Sequence, residues 1–108
     1  MDESQAIPAF EALTDATRLS ILRFLVTRGP NGATAGEIGL SVGAQSSRAA
    51  FHLAKLRQSG LVHAEKVSRN VIYRIDFEKL GALIDYLIED CCAGSTALKT
   101  CCRSLAPS

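Results

Sequence analysis

The chain has 108 residues, of which 47% are hydrophobic and 21% are charged, and its formal net charge is +1. This length and composition fit a single globular domain, exclude a disordered or collagen-like chain, and leave no room for a separate catalytic domain. No run of about 18 apolar residues predicts a membrane span, and the acidic start of the chain is unlike the basic start of a signal peptide, so we expect a cytoplasmic protein with no membrane partner.

Three helices are predicted before residue 41. The first covers residues 9–13. The second covers Ala16–Arg28, with Asp15 as its N-cap, and the third covers residues 35–40 after a Thr34 cap. Helical spacing assigns the following side chains of the second and third helices to the core: Leu19, Leu22, Leu25, Val26, Ile38 and Leu40.

A fourth helix is predicted to begin after a cap at Ser46 or Ser47 and to end at Gln58 or Ser59, before a left-handed Gly60. Its predicted apolar stripe comprises Ala50, Leu53 and Leu56, and its predicted polar face carries Arg48, His52 and Lys55. Two helices joined by a short turn, the second with polar side chains at its exposed start, are typical of a helix-turn-helix.

Two strand-like runs follow, over residues 61–67 and 70–75, joined by a tight turn at Ser68 and Arg69. A hairpin behind a helix-turn-helix predicts a winged helix, a mainly α fold with a β-hairpin wing. A last helix begins near Phe77, and its apolar stripe comprises Leu80, Leu83, Ile84, Leu87 and Ile88. We expect this stripe to pack against a second copy in a homodimer; the alternative is that it only seals the chain's own core.

Basic residues are concentrated in the middle of the chain. From Arg48 to Arg74 there are six arginines and lysines against one acid, Glu65, whereas the flanking segments are mainly acidic. This distribution indicates that the middle of the chain contacts phosphates, although a solvated charged face has the same pattern.

All four cysteines fall in the last 18 residues, at Cys91, Cys92, Cys101 and Cys102. A domain built on disulfides spreads its cysteines along the chain, so reduced thiols that act together are the better interpretation. The alternative is that they are small hydrophobic residues of a helix tail. We therefore divide the chain into a DNA-binding and dimerisation domain over residues 1–90 and a ligand-sensing tail over residues 91–108.

Three segments, FEALTDATRLSILRFL, AFHLAKLRQSGLV and NVIYRID, resemble the ArsR/SmtB family of metal-responsive repressors. The resemblance covers residues 9–75 and implies a winged-helix homodimer, joined through its first and last helices, with the fourth helix in the major groove of operator DNA. It implies DNA contacts from Gln45, Ser46, Ser47, Arg48, His52 and Lys55 on the fourth helix and from Lys66, Arg69 and Asn70 on the wing. For His52, a packed helix histidine is the alternative.

The family's sensor sites differ between members. Those that sense arsenite through Cys-x-Cys on the third helix are not matched, because residues 35–40 contain no cysteine. The zinc sensors use histidines and acids of the last helix, but the only histidines are His52 and His63, in the DNA-reading half. The persulfide sensors need a cysteine on the second helix, which has none. The remaining resemblance is to arsenite responders with a Cys-Cys pair at the end of the last helix and a further cysteine downstream.

The cysteines fit trivalent arsenic as the inducer. Three thiolates suit its pyramidal geometry in this family, with Cys91, Cys92 and either Cys101 or Cys102 as ligands, within one chain or across the dimer. Four thiolates would enclose zinc or cadmium, but the usual Cys-x₂₋₄-Cys spacing of structural zinc sites is missing. Sensing of zinc, cadmium, lead or reactive sulfur species by the same thiols is the alternative function, and a zinc-stapled interaction domain is a third.

An enzyme is not expected. An arsenate reductase or thiol oxidoreductase needs a low-pKa cysteine in a Cys-x-x-Cys motif or an anion-cradling loop, and the sequence contains neither.

Overall fold

The computed structural model describes the backbone of residues 1–91 and the side chains as far as residue 88. Five α-helices and three short strands follow one another along this part of the chain. They are α1 (Glu3–Ala12), α2 (Ala16–Arg28), a 3₁₀ turn (Gly29–Asn31), β1 (Ala33–Thr34), α3 (Ala35–Val42), α4 (Ser46–Gln58), β2 (Val62–Val67), β3 (Asn70–Ile75) and α5 (Phe77–Asp85), which continues as a π-helical segment (Tyr86–Cys91). The predicted winged helix is confirmed. Across the described residues, no helix is both long and apolar enough to cross a membrane.

The strands form one antiparallel sheet in the order β1-β3-β2. In the hairpin, Val62 pairs with Ile75 at the open end and Val67 pairs with Asn70 beside the turn. The two-residue strand β1, which the sequence pattern does not predict, pairs Ala33 with Tyr73. It reaches β3 because Gly32 precedes it: a Cβ there would collide with the Tyr73 carbonyl, and its φ of 65° favours glycine.

The core lies between the helices and one face of the sheet. Its largest fully buried side chains are Ile21, Leu25, Ile38, Leu53, Leu56, Leu61 and Val62. Helix α1 contributes Ala6, Ala9 and Ala12. These alanines have no bulk to separate the helices, so α1 packs closely against the remainder of the domain.

Three core predictions are wrong, because Leu19, Val26 and Leu40 are 43%, 41% and 88% exposed. Helix α2 buries Ile21, Leu22 and Leu25 instead. Leu19 and Val26 are seven residues apart and share a neighbouring face of this helix. The apolar band of α2 is wider than the surface that α2 packs against the core, so these two side chains remain exposed. Leu40 lies two residues after the buried Ile38, about 200° around the helix.

Helix α1 starts six residues earlier than predicted and ends one residue earlier. Asp2 accepts a hydrogen bond from the Gln5 N–H at 3.0 Å, and the Gln5 side chain accepts one from the Asp2 N–H at 3.3 Å. This capping box fixes the start of α1, and the helix runs through Pro8.

The last helix divides its apolar stripe between two environments. Within the stripe, Leu83 is 3% exposed in the core, whereas Ile84 and Leu87 are 50% and 39% exposed; Phe77, at the start of the helix, is 47% exposed. On α1, Ile7 is also 47% exposed. Part of the stripe therefore lies outside this chain's own core.

Candidate nucleic-acid interface

Helices α3 and α4 are joined by a tight turn that fixes their relative position. Helix α3 ends at Val42, Gly43 adopts a left-handed φ of 70°, and the Ala44 N–H donates to the Gly39 carbonyl at 2.9 Å. A Cβ on Gly39 would lie only 2.8 Å from the Ala44 carbonyl oxygen. Glycine thus permits the close approach, and the predicted helix-turn-helix is confirmed.

The start of α4 is open to solvent. Its N-cap is Gln45, and no side chain accepts from its first N–H groups, so the predicted cap at Ser46 or Ser47 is wrong. Both serines lie inside the helix, and Gln45, Ser46, Ser47 and Arg48 are all exposed. The positive end of the helix dipole and four polar side chains therefore share one accessible surface.

Arg48 is held by the neighbouring helix. Its guanidinium donates to the Thr17 hydroxyl, at the start of α2, at 3.0 Å. No acid of the described chain forms an ion pair with Arg48. The arginine is exposed beside the start of α4 and is not paired with an acid of the described chain.

His52 does not lie on the exposed face. It is 6% exposed, and its Nδ1 lies 3.2 Å from the Arg18 guanidinium and 3.9 Å from an Asp15 carboxylate oxygen. Because a guanidinium only donates, Nδ1 accepts, which places the ring proton on Nε2. The predicted place of His52 on the polar face of the helix is therefore wrong, since the histidine is packed between the helices.

The His52 cluster connects three helices. The Arg18 Nε donates to the Ala12 carbonyl of α1 at 2.7 Å, while its other nitrogen meets His52 of α4. Asp15 caps α2, and the hydrogen bonds donated by the backbone N–H groups of Arg18 and Thr17 lower the pKa of Asp15 below its usual value. A charged carboxylate therefore completes the cluster.

Burial of His52 turns α4 relative to the predicted orientation. The buried face consists of Ala49, His52, Leu53 and Leu56, which confirms Leu53 and Leu56 but not Ala50. The exposed face carries Ala50, Phe51, Ala54 and Lys55. Sequence reasoning misses Phe51 and both alanines as surface residues, because it assigns apolar residues to the core. The signal was Arg18 and Asp15 on α2, which offer a polar partner to a buried histidine.

Lys55 covers the exposed ring of Phe51. Its Nζ lies 5.6 Å from the ring centroid, and Phe51 is 56% exposed. Lys55 also lines a cleft of about 280 Å³ between α4 and α1, together with Glu11 and Arg18. No ion pair is formed between Lys55 and Glu11.

The hairpin presents its predicted residues to solvent. Lys66, Arg69 and Asn70 are exposed, and none of these side chains forms a hydrogen bond or ion pair within the described part of the chain. The turn depends on Ser68 at a φ of 58°, a left-handed conformation that is unusual for serine. The tip of the wing is thus a free basic surface.

Arg74 has a structural role at the base of the hairpin. Its Nε donates to the Pro30 carbonyl at 2.9 Å, and a guanidinium nitrogen lies 3.3 Å from Glu65. These contacts fasten β3 to the segment after α2 and use the single acid of the basic region. The other basic residues of the region, Arg48, Lys55, Arg57, Lys66 and Arg69, have no ion pair among the described residues.

Comparisons with known proteins agree with this architecture. A family model described as a helix-turn-helix domain matches residues 13–65. The HTH-type transcriptional regulator YgaV of Escherichia coli K12 is 32% identical over 80 residues, which are 74% of this chain and 79% of YgaV.

Solved structures decide the family. An ArsR family transcriptional regulator is 30% identical, with a TM-score of 0.68 over 79% of this chain and 90% of that one. The chain belongs to the ArsR family of winged-helix transcriptional regulators. A homodimeric winged helix-turn-helix domain from Mycobacterium bovis, a possible ArsR-family regulator, is 25% identical, with a TM-score of 0.62 over 80% and 83% of the two chains. A possible transcriptional regulator for arsenical resistance is 26% identical, with a TM-score of 0.62 over 71% and 77%.

The relatives of this ArsR-family chain are transcription regulators and not enzymes. Its predicted ligand-binding cysteines lie at and beyond the end of the described structure. Cys91 closes the π-helical segment, while its side chain and all of Cys92, Cys101 and Cys102 lie outside the described residues. The prediction of the cysteine site and of the division at residue 91 therefore stays a prediction.

His63, the second histidine of this ArsR-family chain, is paired with an acid. Its Nε2 lies 2.7 Å from Asp76, which also caps α5 by accepting from the Lys79 N–H at 3.0 Å. The Lys79 N–H and then His63 lower the pKa of Asp76. Over the described residues, no group of three histidine, cysteine or acidic side chains is arranged to hold a metal.

Proposed function

We propose that this ArsR-family regulator is a homodimeric repressor that binds a two-fold-symmetric operator and is released by trivalent arsenic, bound to the thiolates of Cys91, Cys92 and either Cys101 or Cys102. The observation that carries the proposal is the place of the four thiols: Cys91 is the last residue of the helical segment that follows α5, and Cys92, Cys101 and Cys102 come after it in the sequence. Operator binding is inferred from α4 and the wing, and arsenic binding is inferred from the thiols of the tail.

Operator binding is supported by the exposed start of α4 and by the free charges around it. Gln45, Ser46 and Ser47 are accessible to base edges, which a recognition helix reads from its N-terminal residues. Lys66 and Arg69 on the wing have no competing acid, so their charges are available to phosphates.

Arsenic is supported by the number and softness of the thiols. Soft thiolates select thiophilic ions over Mg²⁺ or Ca²⁺, and a possible regulator for arsenical resistance shares this fold. The helix C-terminus and the acids Glu89 and Asp90 disfavour spontaneous ionisation of Cys91 and Cys92, so a ligand that displaces the thiol protons is favoured over a peroxide.

Release follows if the ligand reshapes the end of α5. The winding that ends at Cys91 is wider than an α-helix. Ile84, just before this segment, and Leu87, within it, have exposed side chains. A change in this dimer surface would alter the spacing of the two recognition helices. Coupling of about 1–3 kcal/mol, roughly 5- to 150-fold in affinity, is typical of such effects.

Fluorescence anisotropy tests the proposal. The reduced protein is bound to a labelled fragment of its own promoter and titrated with arsenite, zinc or cadmium at fixed salt. We expect stoichiometric arsenite, and neither metal cation, to release the DNA. Release by zinc or cadmium but not by arsenite would contradict the proposal and show that the protein senses metal cations, which is the alternative function.

Single variants identify the ligands. Cys91→Ser and Cys92→Ser should bind DNA as the parent protein does and fail to respond to arsenite. Cys101→Ser and Cys102→Ser serve as matched controls for each other, since one should lose the response and the other should keep it. If Cys91→Ser and Cys92→Ser both respond normally, the proposed site is wrong.

A further inference from the structure

The exposed face of α4 is apolar where a DNA-binding helix usually carries polar groups. Ser47, Ala50, Phe51 and Ala54 are spaced i, i+3, i+4, i+7, so they share one side of the helix, and all four are exposed. We call Ala50, Phe51 and Ala54 the apolar stripe of α4. It continues from the polar start of the helix, so a duplex that contacts Ser46 and Ser47 also meets the stripe.

The Phe51 ring is held in place at the centre of the stripe. The His52 ring lies edge-on to the Phe51 ring, with centroids 5.4 Å apart and planes at 70°. The Lys55 Nζ lies 5.6 Å from the centroid of the Phe51 ring. Since His52 is itself buried and bonded to Arg18, the ring has a rigid support. More than half of it remains open to a partner.

The charges around the stripe select the kind of partner. Helix α4 contains Arg48, Lys55 and Arg57 and no acid. None of these three is neutralised by an ion pair in the described part of the chain. Two copies that joined through this face would bring like charges together, whereas the phosphates of a duplex complement them.

We infer that the apolar stripe of α4 reads the 5-methyl groups of thymines in the major groove, a specificity that rests on the proposed operator binding. The thymine methyl is the one apolar group on the major-groove edge of base pairs, and alanine and phenylalanine side chains are suited to contact it. Gln45 at the exposed start of the helix has an amide that pairs with adenine in the same groove. Both features select A·T pairs at the centre of each half-site.

Deoxyuridine provides the test, because it differs from thymidine only in the missing 5-methyl group. Anisotropy is measured on the same promoter duplex made with thymine or with uracil, at fixed salt. We expect the wild-type protein to bind the uracil duplex roughly tenfold more weakly, the effect of burying one methyl group at each of two half-sites.

Variants assign the effect to the stripe. Phe51→Ala should bind the thymine duplex more weakly and reduce the thymine-to-uracil ratio to about threefold or less, while Phe51→Leu should keep most of the ratio. Lys66→Ala, on the wing, is the matched control: it should weaken binding to both duplexes equally and leave the ratio unchanged. Circular dichroism verifies that each variant is folded.

The outcomes distinguish failure of thymine recognition from failure of operator binding. Equal binding of wild type to both duplexes, or an unchanged ratio in folded Phe51→Ala, would overturn the thymine reading and leave operator binding intact. Absence of binding to either duplex would remove the proposed function together with it. A tenfold preference that depends on Phe51 would assign the stripe as a specificity determinant.

Discussion

At the scale of single residues, His52 shows how one side chain sets the orientation of a helix. Its ring accepts from Arg18, and the same guanidinium donates to the Ala12 carbonyl, so α1, α2 and α4 meet at one polar cluster. The cluster gives the Nδ1 of this core histidine a hydrogen-bond donor. With His52 on the buried face of α4, the neighbouring Phe51 is 56% exposed.

We expect His52→Ala to lower the free energy of unfolding by about 2–3 kcal/mol, because it leaves a void and removes the acceptor of a partly buried guanidinium. Urea denaturation followed by circular dichroism measures the change. Arg57→Ala, an exposed residue of the same helix without an ion pair in the described structure, is the control and should stay within about 0.5 kcal/mol of wild type. Equal effects in the two variants would contradict a structural role for His52.

The sequence pattern predicts Leu53 and Leu56 in the core but cannot orient the remaining faces of α4. Periodicity ranks residues by hydropathy, and on that scale histidine belongs outside and phenylalanine inside. The actual choice depends on Arg18 and Asp15, which lie more than 30 residues earlier. Such long-range polar pairing is not visible in a local pattern, and the apolar stripe of α4 was therefore not predictable.

At the scale of secondary-structure elements, the helix N-termini differ in charge. Asp2, Asp15 and Asp76 cap α1, α2 and α5, and Glu37 completes the capping box of α3. The pKa of each of these carboxyls is lowered, with a hydrogen bond as the largest cause, so the four helix ends carry negative charge. Helix α4 has the uncharged Gln45 instead. An acid at that point would repel phosphates, so the exception fits a helix that approaches DNA.

The α3–α4 turn gives a prediction with a control in the same helix. Gly39→Ala places a Cβ 2.8 Å from the Ala44 carbonyl oxygen, and because that oxygen belongs to the backbone, relief requires a shift of the turn. We expect a loss of about 1–3 kcal/mol in unfolding free energy and weaker operator binding.

Gly36→Ala is the control for Gly39→Ala. Its Cβ would have only the Thr34 hydroxyl nearby, at 3.8 Å, so the variant should be more stable than wild type by about 0.5–1 kcal/mol, the preference of a helix for alanine. Thermal unfolding measures the stability of both variants, and fluorescence anisotropy measures their affinity for the operator. Stabilisation by both alanines would show that the turn has room to move.

At the scale of the whole molecule, the sequence predicts the winged helix because its signals are local and mutually consistent. Asp15 and Thr34 act as the predicted caps, Gly60 has a left-handed φ of 84°, and the hairpin turns at Ser68 and Arg69. Strand β1 is missed because two residues have no periodicity, and its pairing with β3 depends on the room that Gly32 leaves. The cysteine site stays a prediction, and its side chains lie outside the described residues.

We expect a homodimer to form through the exposed apolar residues of α1 and of the last helix. Ile7, Ile84 and Leu87 lie at 39–50% exposure, and a relative with this fold is a homodimer. In a two-fold dimer each substitution occurs twice in the interface. A buried charge without a partner is costly, so a single aspartate in this surface should separate the copies.

We predict that Ile84→Asp lowers the mass in solution from that of two chains to the 11.5 kDa of one chain at micromolar concentration. The affinity for the operator should fall at least about tenfold, because a monomer binds only one half-site at a time. Leu40→Asp is the control: Leu40 is 88% exposed, on α3, and its replacement should leave the dimer intact. Sedimentation equilibrium distinguishes the two. A dimeric Ile84→Asp with a monomeric Leu40→Asp would move the interface from α5 to α3, and with it the route by which a ligand at Cys91 reaches the recognition helices.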